Sequence, residues 1–286
     1  NFMSNVIVAI SSFRSDPKVL DLLDLIFSCN PTLFLEIIVV DSKPTGLIDE
    51  FILKKGYQVK YIISEKNLGS AGNLDLRLRE ALKNQSAQWC LCLNHDAFFS
   101  EEFVISFLAK AENIQGKVGA VFPTRTYDNG KVKKTDSIEK MLWSSSNGCL
   151  YSLAPLRKGL YIDSALWMGW EDYLYCTLLK NKGYENYIVN SLPFVDSYEY
   201  ETLNFGVMKF RLNNKPAWYD YYSIRNLIYI GKKIKPDNVY FRLLFKVCIN
   251  SIFMSFFKEK TIERQTNFIK GTIDGFKGKM GFKDII

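Results

Sequence analysis

Hydrophobic and polar positions alternate in blocks along the first half of the chain. Short apolar runs that end abruptly in polar residues fall at 6–10, 35–40, 59–63, 89–93 and 118–122. Such runs, bounded by turn residues, read as strands buried on both faces. Between them apolar residues recur at helical spacing: at 18–28, with leucines at 20, 22, 23 and 25, and again at 47–55, 70–84 and 101–113. Gly56 stops the second of these helices. Strands alternating with helices predict a parallel sheet covered on both faces.

After Pro123 the pattern changes. Asn129-Gly130 predicts a hairpin turn at 127–131, because Asn-Gly readily takes positive φ. Residues 148–153 read as a strand and 171–182 as a helix closed by Gly183. Three helices follow, at 219–233, 238–258 and 260–276; Gly271, Gly275, Gly278 and Gly281 loosen the last toward the terminus. The expected division is a nucleotide-binding domain over 1–205 and a helical region over 206–286.

Charge sharpens that division. The 286 residues are 48% hydrophobic and carry a net charge of +7. Residues 206–286 hold 16 Lys and Arg against 6 Asp and Glu, so the excess lies entirely there. A basic end within a chain of 21 Phe and 16 Tyr points to an anionic partner, membrane lipid or a lipid-linked phosphate, although solubility alone also explains it. Nucleic acid ranks far lower, because the basic residues form no compact run. The segment 240–257 is broken by Arg242, Lys246 and Asn250, so it suits a membrane surface or a packed helical lid rather than a span. The six cysteines form no Cys-x-x-Cys pair, and the opening residues lack a basic leader; buried, reduced thiols in a cytoplasmic protein are expected.

Three stretches carry candidate chemistry. The strand at 89–93 runs into Asn94-His95-Asp96, and the carboxyl ends of such strands are where open α/β sheets place ligands. A carboxylate there suits a divalent ion on a diphosphate; a helix cap or solvated turn is the plain alternative. Asn67-Leu68-Gly69-Ser70-Ala71-Gly72-Asn73 opens a helix with small residues, which allows close approach of phosphate or merely tight helix–sheet packing. Glu171-Asp172 opens another helix, where acids complement the dipole or serve as a general base. Asp41 ends the second strand as a base or ribose acceptor, or as a turn residue.

In this order the stretches Ile38-Val39-Val40-Asp41, Asn67 to Asn73, Leu93-Asn94-His95-Asp96, Ser146-Asn147-Gly148-Cys149 and Leu166 to Cys176 resemble family 2 glycosyltransferases, the inverting GT-A class. Rhamnosyltransferase- and galactofuranosyltransferase-like members look nearest. The resemblance implies an α/β GT-A fold with a mostly parallel Rossmann-like sheet and a C-terminal helical appendage. It implies a nucleoside-diphosphate sugar donor, Mg²⁺ or Mn²⁺, and a glycan or lipid-linked acceptor. Carried over, Ser11, Phe13, Asp41, Asn67, Gly69, Asn73, Asn94 and Asp96 would hold the donor, Asp96 also the metal. Asp172 would be the catalytic base beside Glu171. Asn147, Gly148, Trp170 and Arg225 would border sugar and acceptor. Two features depart from the family pattern: the acidic signature is thinner, and His95 is the sole histidine, so Asp196 or Glu199 would supply the further metal ligand. Exposed aromatics in the C-terminal helices would also suit a homodimer. A sugar-1-phosphate nucleotidyltransferase is the rival enzyme, but Ser11 to Asp16 lacks its glycine-rich loop; a degenerate sugar-nucleotide-binding module is the non-enzymatic rival.

Overall fold

The computed structural model describes residues 5–126, 137–195, 200–205, 208–213, 215–257 and 260–284. The first part alternates as the pattern requires: β1 (Val6–Ser12), α1 (Asp16–Ser28), β2 (Glu36–Asp41), α2 (Leu47–Lys55), β3 (Lys60–Ile63), α3 (Gly69–Ala81), β4 (Trp89–Asn94), α4 (Glu101–Glu112) and β5 (Val118–Thr126). Then come β6 (Ile138–Lys140), β7 (Cys149–Ser152), α5 (Ala154–Arg157), a 3-10 turn (Ser164–Leu166), α6 (Glu171–Asn181), β8 (Glu185–Val195), β9 (Tyr200–Phe205) and β10 (Met208–Asn213). Helices α7 (Trp218–Lys233), α8 (Asn238–Phe257) and α9 (Thr261–Lys277) close the chain.

Eight strands form one sheet in the order β3-β2-β1-β4-β7-β5-β8-β6. Strands β3, β2, β1 and β4 run parallel, as do β5 and β8, while β7 and β6 are antiparallel to their neighbours. Strand alternation splits the core in two. Val6, Val8, Ile10, Leu91 and Leu93 face a layer containing Leu22, Leu23, Ile26, Val104 and Phe107 of α1 and α4. Ile7, Ala9, Cys90 and Cys92 face Leu74, Leu78, Cys176 and Leu179 of α3 and α6. Burial on both faces is why these strands read as unbroken apolar runs. The GT-A architecture and its C-terminal helical extension are therefore as expected.

Four strands escaped the sequence reading: β6, β8, β9 and β10. The apolar run in β8 is broken by Asn186 and Asn190, and both side chains serve as internal struts. The Asn186 amide donates to the Leu142 and Cys176 carbonyls, and that of Asn190 to Ser137 and Glu139. β9 and β10 pair as a separate two-stranded sheet, and the boundary expected between 205 and 206 falls inside that hairpin. The hairpin turn expected at 127–131 lies outside the described residues. No described helix is long and apolar enough to cross a membrane.

The sheet order reverses direction at β1. β2 lies on one side of it and β4 on the other, so the crevice at their carboxyl ends is a topological switch point. Register sets Ser11 opposite Asn94 and Ser12 opposite Asp41 at that edge.

Candidate active site

A cleft of about 750 Å³ opens at this switch point. Ser11 and Phe13 at the end of β1, Asn67, Gly69 and Asn73 at the start of α3, and Asn94-His95 at the end of β4 form one side. Trp170, Glu171 and Asp172 face the same space from the start of α6. Seven of the expected donor and catalytic side chains, far apart in sequence, thus meet with Trp170 and Gly69 around one cavity, which helices α7, α8 and α9 wall off on the far side.

The sheet-edge side of the cleft is built from paired polar groups. The Ser11 hydroxyl donates to Asn94 Oδ1 at 3.3 Å. The Asn73 amide donates to the Val40 carbonyl at 3.2 Å, while its Oδ1 is buried with no partner. Gly69 takes φ +63°, and a Cβ there would sit 2.1 Å from the Trp167 carbonyl oxygen, so only glycine lets α3 begin against that turn. The Trp167 indole in return donates to the Asn67 carbonyl at 3.0 Å, and the Ala71 amide donates to the Trp167 carbonyl at 3.1 Å.

The α6 side of the cleft rests on a strained turn. Trp167 and Trp170 are non-glycine residues at φ +58° and +68°. Left-handed backbone at bulky residues costs on the order of 1–3 kcal/mol each and persists only where the surroundings impose it. Here α7 imposes it. The Asn226 amide nitrogen lies 3.0, 2.8 and 3.0 Å from the carbonyls of Leu166, Met168 and Gly169. Arg225 donates to the Leu166 carbonyl at 2.8 Å and, through Nε, to Asn226 Oδ1 at 2.9 Å, which fixes the amide's orientation. The Trp170 indole donates to the Ser223 carbonyl at 3.1 Å.

This turn delivers Glu171 and Asp172 to the cleft at the helix N-terminus. Burial and the neighbouring Glu171 carboxylate push Asp172 up to about 7, against the opposing pull of the Arg125 charge and the Tyr173 amide that donates to it at 2.8 Å. Burial also raises Glu171, opposed by Ser70, by backbone donors and by the Arg77 charge. Its Oε2 is buried with no partner. Two adjacent buried carboxyls resist ionising together, so the pair gives up its protons in coupled steps, with Asp172 raised toward neutrality.

Other expected site residues are placed differently. Asp41 is wholly buried and does not line the cleft; it accepts from the Lys43 amide and the Tyr61 hydroxyl, each at 2.9 Å. Asn147 props β4, its Oδ1 accepting from the Asn94 amide at 2.8 Å, and Gly148 (φ +75°) seats the Phe194 ring. Arg225, expected at the acceptor, is instead 1% exposed and spends its guanidinium on backbone carbonyls and Asn226. Asp96 follows His95 at the cleft edge, partly buried, without itself lining the cavity. Burial holds the His95 imidazole below its ordinary value. Asp196 and Glu199 lie outside the described residues.

A divalent ion is testable against these donors. Among the described residues no group of three or more His, Cys, Asp or Glu side chains converges. Asp96 at the cleft edge and Asn94, two residues before it and lining the cleft, are the hard oxygen donors of this segment, and Mg²⁺ or Mn²⁺ commonly take only one or two protein carboxylates and fill the rest from phosphates and water. The donor set fits an ion shared with a diphosphate, not a closed protein cage.

Several cleft residues gave no motif. Arg77, buried on α3, donates to the Ala9 and Leu93 carbonyls at 3.0 Å each. Its signal was a charge on the apolar face shared by Leu74 and Leu78. Arg125 ties down the 144–147 segment through Ser144 and the Ser145 and Asn147 carbonyls. Trp143, Trp167, Lys215, Trp218 and Tyr219 also line the cleft.

The family model described as Glycosyl transferase family 2 matches residues 8–176, from β1 into α6, which is more than half of the chain. This chain belongs to that family. Among curated proteins none matches it. Solved structures share the fold at low identity. The Pyrobaculum calidifontis mannosyltransferase PcManGT, solved with GDP-Man and Mn²⁺, is 13% identical with a TM-score of 0.61, over 98% of this chain and 89% of that one. S. aureus TarS 1-349 with UDP-GlcNAc is 14% identical at 0.59, over 96% and 81%. GalNAc-T7 with UDP, GalNAc and Mn²⁺ is 12% identical at 0.64, over 98% and 57%.

Proposed function

We propose that this glycosyltransferase family member moves a sugar from a nucleoside-diphosphate donor to a hydroxyl of a glycan or lipid-linked acceptor, with inversion, in the cytoplasmic synthesis of cell-surface polysaccharide. Rhamnosyl- or galactofuranosyl-type transfer is the finer assignment, from the order of its motifs. The observation that carries the reading is Asp172: a carboxyl poised near neutrality, beside a second buried acid, facing the cleft whose other wall is the switch-point edge.

In the proposed step the acceptor O–H gives its proton to Asp172 as the oxygen bonds to the anomeric carbon. The bond from that carbon to the diphosphate oxygen breaks on the opposite face, and its electron pair leaves with the diphosphate. A divalent ion, held by Asp96 with Asn94 and the diphosphate, would neutralise the charge that builds on that leaving group. Glu171 raises Asp172 by its proximity, so the base is strong enough to accept a proton and still ionised in part at neutral pH. Ser11, Phe13, Asn67, Gly69 and Asn73 would hold the nucleoside diphosphate, while Trp143, Trp218 and Tyr219 offer flat apolar faces for sugar rings. Donor complexes of fold relatives with GDP-Man and with UDP-GlcNAc support a nucleotide-sugar reading.

The test is a panel of UDP-, GDP- and dTDP-sugars with and without Mn²⁺, followed by thermal shift and by release of nucleoside diphosphate. Metal-dependent stabilisation by one nucleotide class, with slow donor hydrolysis, is expected. A protein that neither binds nor hydrolyses any of these donors overturns the proposal.

A further inference from the structure

Helix α9 is amphipathic in the reverse sense. Its buried face is polar or side-chain-free: Arg264, Asn267, Gly271, Asp274 and Gly275. The glycines allow α7 backbone to come so close that a Cβ at Gly271 would lie 2.4 Å from the Tyr221 carbonyl oxygen. Arg264 pairs with Asp220 at 3.0 Å, and Asp274 accepts from the Tyr221 hydroxyl at 2.8 Å. The opposite face carries Ile262, Ile269, Ile273 and Phe276, between 46% and 81% exposed. At 100° per residue these four fall within one narrow stripe, about 21 Å long at 1.5 Å per residue. Apolar stripes of this kind, unpartnered in a monomer, mark interaction surfaces.

We propose that this stripe lies on an anionic lipid bilayer and holds the protein at its surface. Charge selects that occupant. Lys270 and Lys277 lie along one edge of the stripe and are exposed, Lys279 follows, and α8, packed beside α9, adds the exposed Arg242 and carries no acid. Glu263, the exposed acid on α9, is paired with Lys260 at 3.3 Å. A second copy docked with its α9 antiparallel across a twofold axis would set these lysines against each other, whereas acidic headgroups complement them. α8 also leaves Phe241, Phe245 and Ile252 exposed, while Lys246, Val247, Asn250 and Ser251 line the cleft. The membrane-facing helices and the cleft wall are thus the same helices, and the cleft stands beside the bilayer. The surface is independent of the glycosyl-transfer reading and is tested without activity.

The experiment is flotation of the full chain with phosphatidylcholine vesicles and with vesicles containing phosphatidylglycerol. Binding to the anionic vesicles alone is expected, weakening as salt screens the lysines. Lys270→Gln and Lys277→Gln should each lower partitioning about fivefold. The triple variant Ile269→Ser, Ile273→Ser, Phe276→Ser should lower it by at least about tenfold at an unchanged melting temperature, since these side chains face solvent. No flotation, equal flotation on neutral vesicles, or undiminished binding by the triple variant overturns the proposal. So does a solution dimer that the triple variant dissociates, which assigns the stripe to a second copy.

Discussion

Replacing Asp172 with Asn should cost activity and gain stability at the same time. The fold raises this carboxyl from 3.8 to about 7. A raised acid binds more protons folded than unfolded between those values, so its contribution to stability falls as pH climbs from about 4 to 7. Three pH units correspond to about 4 kcal/mol at most. Water on the cleft side, and proton sharing with Glu171, reduce what the native state suffers to about 1–3 kcal/mol. Asn is neutral and nearly isosteric, and its Oδ1 can still accept from the Tyr173 amide. At pH 8 the variant should therefore melt roughly 2–10 °C above the parent protein. The gap should shrink toward pH 5. Loss of a positioned general base should lower turnover by about 10²–10⁴ while donor binding persists. In the parent, kcat/KM should rise with pH through about 7; in the variant that limb should disappear. Scanning fluorimetry across pH and release of nucleoside diphosphate read both effects. A variant that melts below the parent at pH 8, or one that turns over as fast, refutes the account of this acid.

Asn226→Leu removes the donor that faces three turn carbonyls, two of which one NH₂ group can bond at a time, so it should destabilise by about 2–4 kcal/mol. As a positioning change it should depress kcat far more than donor affinity, and equal losses in both would count against that role. Gly69→Ala should cost several times more stability than Gly56→Ala, because the two share a left-handed backbone at φ +63° and +68° but the added methyl meets the Trp167 carbonyl only at Gly69; equal chemical-denaturation midpoints would contradict the close approach. Asp96→Ala should abolish the Mn²⁺-dependent part of donor-induced thermal stabilisation, read as the difference between melts with donor alone and with donor plus Mn²⁺. An intact metal effect would remove Asp96 from the metal site.

Local pattern determined a good deal by itself. The alternating blocks of the first half set the strand and helix types, because a parallel strand buried on both faces has no choice but to be apolar throughout. The same pattern marked the strand ends at Ser11 and Asn94 and the helix start at Glu171-Asp172, since polarity returns where the chain leaves the core. Tertiary structure decided the rest. β7 enters the sheet antiparallel between β4 and β5, and no feature within 149–152 encodes that neighbour. The struts Asn186 and Asn190 hide β8 from any apolar count, because their amides are satisfied only by distant carbonyls and hydroxyls. Arg225 is expected at the acceptor from sequence, yet packing of α7 against the 166–170 turn turns it inward, with Asn226, as the clamp of that turn. Asp172 itself is an ordinary helix-opening acid until burial beside Glu171 raises it. Sequence fixes which groups are present at each strand end and helix start, whereas their distances, desolvation and mutual fields exist only once remote segments share one cleft.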